Sequence, residues 1–247
     1  MAETKHKIVT TSWDDGHPLD FKLADVLAEY GVNGTFYVPF SNPEREVMDS
    51  VSVVELAGQF EIGGHTRSHV NLRRIGCDLL DDEIGAARLE LQDLLGRPVN
   101  MFSYPKGKHN ELARSAVERA GFIGARTTQE FITECCSDVL QMPTTLQACP
   151  HSPWIRVRHS LLTKNLKGAL RFSRIGVTKT WAEIARCFFE EMLEAGGVWH
   201  LWGHSWEIEE YNLWDDLRAV LDTVASKEGV IYLSNGQVIE NMTKLST

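Results

Sequence analysis

Three things are scarce in this sequence, and each scarcity removes a class of function. Basic charge is the first: 25 Lys and Arg stand against 34 Asp and Glu, a formal charge of -9 at neutral pH. Nonspecific attraction to nucleic acid or to an anionic membrane needs a basic face, so the balance argues against both and leaves room only for a local basic patch. Long apolar runs are the second. No uncharged stretch approaches the roughly 18 residues of a membrane-spanning helix, and Met1 to Lys7 contains no apolar secretory segment, so a cytoplasmic location is expected. Paired cysteines are the third. Cys77, Cys135, Cys136, Cys149 and Cys187 are odd in number, lack C-x-x-C spacing and include an adjacent pair that cannot bridge easily, which points to reduced thiols.

What is present is an ordinary folding composition, 43% hydrophobic and 24% charged, arranged as alternating β-rich runs and amphipathic stretches. Strands are expected at 7–13, 34–40, 60–64, 99–104, 122–125, 197–203 and 230–233. Helices are expected at 21–30, 51–59, 78–95, 111–120, 181–194 and 213–225. Between Thr127 and Leu162 the period fades among Pro143, Pro150 and Pro153, which reads as a long elaborated connection. With no repeat, low-complexity tract or linker, the chain is expected to form one domain over 1–247. Strand–helix alternation implies a mainly parallel sheet, and about seven such units in a chain of this length fit a (β/α) barrel. An open doubly wound sheet fits less well, because its Gly-rich phosphate fingerprint is missing.

Four polar clusters fall where expected strands end, which is where such a barrel carries its chemistry. In Ser12-Trp13-Asp14-Asp15-Gly16-His17 two adjacent carboxylates end a strand; neighbours on a strand face opposite ways, so both serve one site only if the strand breaks there, and Gly16 and Pro18 favour a break. Taken alone, the segment reads first as a solvated turn. His65-Thr66-Arg67-Ser68-His69 spaces two imidazoles four apart, so one helical turn would put both on one side as metal ligands, with Asp15 as a third. Met101 to Gly107 ends a strand with Pro and Gly, a shape that can present a backbone N–H to a ligand. Val198 to Glu207 puts His200, Trp202 and His204 on one strand face; His204 reaches the mouth, and His200 reads as a packed interior histidine.

Together the four segments resemble the polysaccharide deacetylase family, the NodB-homology carbohydrate esterases, over roughly Ile8 to Glu207. Trp13-Asp14-Asp15-Gly16 is similar to the family's Phe-Asp-Asp-Gly, and His65 to His69 matches its His-Ser/Thr-x-x-His. The resemblance implies a distorted (β/α) barrel in which Asp14 is the catalytic base, Asp15, His65 and His69 hold one divalent metal, and His204 is the general acid. Zinc is the first choice of metal, with cobalt, nickel, manganese and iron as alternatives. Phe102 to Gly107 resembles the family's Phe-Arg-x-Pro-Tyr-Gly, so Tyr104, Pro105 and Lys106 are assigned to the substrate and oxyanion side. Two departures stand out: Ser103 replaces an Arg that orients the base, and Lys106 replaces a Tyr. The segment that carries the carboxylate beside the acid histidine is not recognisable, and Glu207 is its nearest substitute.

The implied reaction is removal of an N-acyl group, N-acetyl first among them, from an amino sugar by metal-activated water, with an N-acylated sugar, sugar nucleotide or lipid-linked sugar as partner. A related branch of the fold hydrolyses cyclic amides or ureides, some members without metal; the complete Asp-His-His set argues for the metal-dependent branch. A sugar-binding relative that has lost catalysis is the reading from another class, since Ser103 and the missing segment resemble decay. Trp13, Trp202 and Trp206 would suit stacking on a sugar, and Trp154, Trp181 and Trp214 would serve a core or a subunit contact, which leaves an oligomer open.

Overall fold

The computed structural model describes residues 6–245, so most of the amino-terminal stretch read above for a secretory segment lies outside the described residues. The chain runs β1 (Lys7–Asp14), α1 (Asp20–Glu29), β2 (Gly34–Val38), α2 (Ser50–Ala57), β3 (Glu61–Gly64), α3 (Cys77–Leu80), a π turn (Asp81–Ala86), α4 (Ala87–Leu95), β4 (Met101–Ser103), α5 (Glu111–Ala120) and β5 (Gly124–Arg126). It continues with β6 (Leu146–Gln147), α6 (Pro153–Leu162), α7 (Leu166–Ile175), α8 (Trp181–Ala195), β7 (Gly197–Gly203), α9 (Ser205–Glu210), α10 (Trp214–Val224), β8 (Val230–Tyr232) and α11 (Asn235–Leu245). Among the described residues no helix is long and apolar enough to cross a membrane.

All eight strands are parallel and curl into a distorted barrel in the order β5-β4-β3-β2-β1-β7-β6, with β8 also on β1. One edge of β1 is shared: β8 pairs with Lys7 to Val9, and β2 takes over from Thr11. A parallel bridge between Arg126 and Met142 links β5 to the segment entering β6. Because β1 is buried on both faces, its sequence does not alternate apolar and polar in the manner of a one-sided strand. Val9 and Trp13 pack outward under the helices, in the main apolar core.

The inward residues of β1 form layers. At the bottom Ile8 packs with Tyr37, Met101, Val198 and Val238, so α11 plugs the amino end of the barrel. One pleat higher, Thr10 Oγ1 donates to Asn235 Oδ1 at 2.9 Å, and Asn235 Nδ2 donates to the Tyr37 hydroxyl at 3.0 Å. Gly63 makes room for that tyrosine, since a Cβ there would stand 2.5 Å from its ring. The third layer joins Ser12 Oγ to His200 Nε2 at 2.8 Å, while His200 Nδ1 donates to the Pro143 carbonyl at 3.2 Å. His200 is therefore the packed interior histidine its place on the strand implied, and burial holds its pKa near 3. Asp14 forms the fourth layer, at the carboxyl mouth.

The structure departs from the expected elements in several places. The stretch after Thr127 contains β6 and the α6–α7 hairpin, whose short strand and proline-led start give little periodic signal. The helix expected over 78–95 is interrupted by the π turn, and α11 was not anticipated.

Candidate active site

The strand break predicted at the two carboxylates occurs at Asp15 itself. Its φ is +81°, followed by Gly16 at +60°, so the chain reverses and both acids meet at one mouth. The two histidines converge differently from the expectation. His65 to His69 is a loop, not a helical turn, with Thr66 at φ +65° and His69 at +53°. Such left-handed residues are costly and persist only where their surroundings over-determine them. Here Glu83, buried in the π turn, accepts hydrogen bonds from the backbone N–H of Arg67 (3.0 Å) and Ser68 (2.9 Å) and from Ser68 Oγ (2.5 Å), while the Arg67 carbonyl accepts from Phe40 and Ser41 N–H. Glu83 had no sequence signal, because the extra residue of a π turn is invisible in an i, i+4 pattern.

His65 Nε2 lies 3.7 Å and His69 Nε2 3.2 Å from Asp15 Oδ1, and one ligand atom from each residue falls within 4.8 Å of the others. His65 Nδ1 stands 2.8 Å from the Ser103 carbonyl, which can only accept, so that nitrogen carries the proton and Nε2 presents its lone pair to the mouth. Burial keeps His65 neutral, with a pKa near 4, and depresses that of His69. Asp15 Oδ2 accepts from Trp206 Nε1 at 3.0 Å, whereas Asp15 Oδ1 is buried without a hydrogen-bond partner. A carboxylate oxygen bare between two imidazoles is a donor set for a cation, and two nitrogens with one carboxylate suit zinc or a related divalent ion. The residues present thus fit a metal.

Asp14 has a partner the sequence did not disclose. Arg126, the last residue of β5 and the register partner of Ser103, is fully buried and pairs through Nη2 with Asp14 Oδ1. Ser103 Oγ donates only a long bond, 3.4 Å, to Asp14 Oδ2. The guanidinium lies 4.7 Å from the Trp202 ring centre and 5.5 Å from that of Tyr37, so aromatic faces serve donors that lack hydrogen-bond acceptors. Burial raises the Asp14 pKa, yet the Arg126 guanidinium, the largest opposing influence, with the imidazoles of His65 and His204 beside it, brings it to about 2.

On the opposite side His204 Nδ1 donates to Glu207 Oε2 at 2.6 Å, and His204 Nε2 stands 3.9 Å from Asp15 Oδ2. Gln147 Nε2, from β6, donates to the same Glu207 oxygen at 2.9 Å. Burial disfavours imidazolium, but the bond and charge of Glu207, then Asp15 and Asp14, raise the His204 pKa to about 9. These groups share a cavity of about 340 Å³ whose walls include Thr128, Gln147, His159 and Trp202. A larger cavity, about 710 Å³, lies at the amino ends of β1 and β7, among His6, Ile8 and Gly197, away from these groups.

From the Tyr104-Pro105-Lys106 segment only Lys106 lines the site cavity. Tyr104 is buried with its hydroxyl donating to the Leu140 carbonyl at 3.2 Å and its ring stacked on His109, which orients its side chain for packing. Lys106 adopts φ +56°, and its ammonium pairs with Glu44 at 2.5 Å across the mouth.

Comparison with known proteins follows the same lines. Over 127 residues the chain is 26% identical to the peptidoglycan-N-acetylmuramic acid deacetylase of Bacillus subtilis (strain 168), covering 49% of this chain and 47% of that protein. It spans about half the length of the curated relatives it matches. Among solved structures, a Mycobacterium smegmatis protein assigned to the polysaccharide deacetylases superposes with TM-score 0.67 at 15% identity, covering all of this chain and 93% of its own. A family 4 acetyl xylan esterase from Clostridium thermocellum, in complex with a cobalt ion, superposes with TM-score 0.59 at 15% identity over 96% of this chain and 92% of its own. The model of the family "Polysaccharide deacetylase" matches residues 1–125, from β1 into β5 and half of the sequence, and the chain belongs to that family.

Proposed function

We propose that this protein is a metal-dependent N-deacetylase acting on an N-acetylated amino sugar, as part of a glycan or of a glycan precursor. The observation that carries the reading is the convergence of Asp15, His65 and His69 on the bare Asp15 Oδ1, with ionised Asp14 on one side and protonated His204 on the other. A divalent cation, zinc first, held by those three residues supplies Lewis-acid polarisation of the acyl carbonyl and acidifies water for attack. Asp14, fixed by Arg126, accepts a proton from the attacking water. His204, fixed by Glu207, delivers one to the departing nitrogen, and each transfer contributes roughly 10²- to 10⁴-fold. The backbone N–H of Lys106, a cavity-lining residue in a left-handed turn, is the candidate donor to the developing oxyanion.

The test is hydrolysis of N-acetylglucosamine oligomers by zinc-loaded protein, followed by acetate and free amine together. One amine per acetate is expected. Acetate released only from O-acetyl esters, or turnover only of cyclic ureides, contradicts the reading, and no turnover with intact sugar binding supports a binding module instead.

Two further results are expected. Replacing Glu83 by Gln frees the His65–His69 loop and weakens metal affinity roughly 10- to 100-fold, the usual scale for such supporting groups, measured by competition with a chromogenic chelator. Replacing Glu207 by Gln removes the main support of the His204 charge. Because that pKa is raised from 6.5 to about 9, the charged ring stabilises the fold below pH 6.5, and this contribution disappears as pH rises through about 9. Activity limited by the acid follows the same limb, so the variant's alkaline inflection in kcat moves to lower pH.

A further inference from the structure

From Val139 to Ala182 the chain contains seven Lys and Arg and not one Asp or Glu, so all 34 acids of this net-negative protein lie elsewhere. The segment folds into the α6–α7 hairpin beside the site: Ile155, Arg156 and His159 of α6 line the cavity that holds Asp14 and His204. Five of its cations, Arg158, Lys164, Lys167, Arg174 and Lys179, are exposed. The same hairpin is exceptional in apolar exposure. Among the described residues, half of the large hydrophobic side chains left exposed lie between Trp154 and Val177, with Trp154 at 72%, Leu162 at 68%, Leu166 at 63% and Leu170 at 61%.

Both helices repeat one pattern. Trp154, Arg158, Leu161 and Leu162 fall on one face of α6, and Leu166, Lys167, Leu170 and Arg174 on one face of α7, while Ser160, Gly168 and Phe172 turn inward. A soluble surface has no use for leucines interleaved with unpaired cations, but the headgroup boundary of an anionic bilayer takes both, the apolar groups at acyl depth and the cations at the phosphates. We propose that this hairpin docks the protein on an anionic phospholipid surface, bringing the cavity mouth to that surface. A second copy is the poorer occupant, because a two-fold contact sets like charges against each other. The docking surface does not depend on the deacetylase reading, and its test uses no catalysis.

The test is co-sedimentation of the whole protein with vesicles of phosphatidylcholine alone and of phosphatidylcholine mixed with phosphatidylglycerol, at low and high salt. Binding is expected only to the mixed vesicles and is expected to weaken with salt. Each surface cation is worth about fivefold in binding, so Lys164→Glu with Lys167→Glu weakens it by at least about 25-fold. Leu162→Ser weakens it at constant charge, and Lys227→Glu, an exposed cation on another face, leaves it unchanged. Circular dichroism of each variant confirms the fold. Absence of binding to mixed vesicles, equal binding to neutral ones, or variants that bind as the parent overturns the proposal. So does a homodimer, seen by sedimentation equilibrium, that Leu162→Ser dissolves.

Discussion

Replacing Arg126 by Met is expected to cost about 3–5 kcal/mol of folding stability, the scale for removing one partner of a buried ion pair. The physical reason is that Asp14 sits fully inside the barrel mouth, where burial alone pushes its pKa up; the Arg126 guanidinium is the largest opposing influence. With Arg126 present the folded-state pKa lies below the ordinary carboxylate value, so ionised Asp14 adds stability above pH 3.8 that is lost as pH falls through about 2. Without it the sign reverses. A buried carboxylate with a raised pKa destabilises the fold as pH rises past its unfolded value, so the variant is most stable in acid. Thermal unfolding between pH 3 and pH 8 separates this from a cavity effect, which is flat with pH. Arg126→Lys keeps the charge but not the fork, and recovers only part of the loss. Restoring a guanidinium at the register partner, Ser103→Arg in the Arg126→Met background, is expected to rescue stability and activity together.

That arrangement shows where sequence reasoning stops. Ser103 stands where the resembled motif has arginine, and the guanidinium that pairs with Asp14 lies across one strand pairing, Ser103 to Arg126, in a three-residue strand with no motif around it. Parallel register between β4 and β5 is set by packing and turn lengths, not by anything countable along the chain. By contrast, the group of residues that could hold a metal was legible because Asp14-Asp15 and His65 to His69 are local segments. Their spacing did not reveal the means of convergence: left-handed φ at Asp15, and at Thr66 and His69 in the loop that Glu83 anchors, replaced the helical turn that the four-residue interval suggested. Glu207 was readable as a neighbour of His204, while its second anchor, Gln147, came from a strand whose two residues carry no period. The alternating strands and helices were legible through β5 because each helix buries one stripe. The hairpin of α6 and α7 was not, because its outer stripe mixes leucine with cations.

Asp14→Asn and the ligand substitutions are expected to divide binding from chemistry. Asparagine has nearly the shape of aspartate and leaves Asp15, His65 and His69 in place, so the variant retains metal while kcat falls by roughly 10²- to 10⁴-fold, the contribution of a positioned proton acceptor. Asp15→Ala, or His65→Ala with His69→Ala, loses the metal itself and turnover with it. The distinction is read by measuring bound metal after gel filtration alongside kcat for the same preparation. An Asp14→Asn protein that kept near-parental turnover would remove Asp14 as the base, whatever the metal content. A His65→Ala, His69→Ala protein that still bound stoichiometric metal would remove the ligand set.

The most direct measurement is a titration of chelator-stripped protein with zinc, following bound metal and acetate release from N-acetylglucosamine oligomers in the same samples. Both are expected to rise together and level off at one zinc per chain, with Asp14→Asn showing the same binding plateau and almost no acetate. Acetate release that is undiminished in the stripped protein, or a zinc plateau that survives loss of Asp15, His65 and His69, contradicts a single catalytic cation held at the mouth of this barrel.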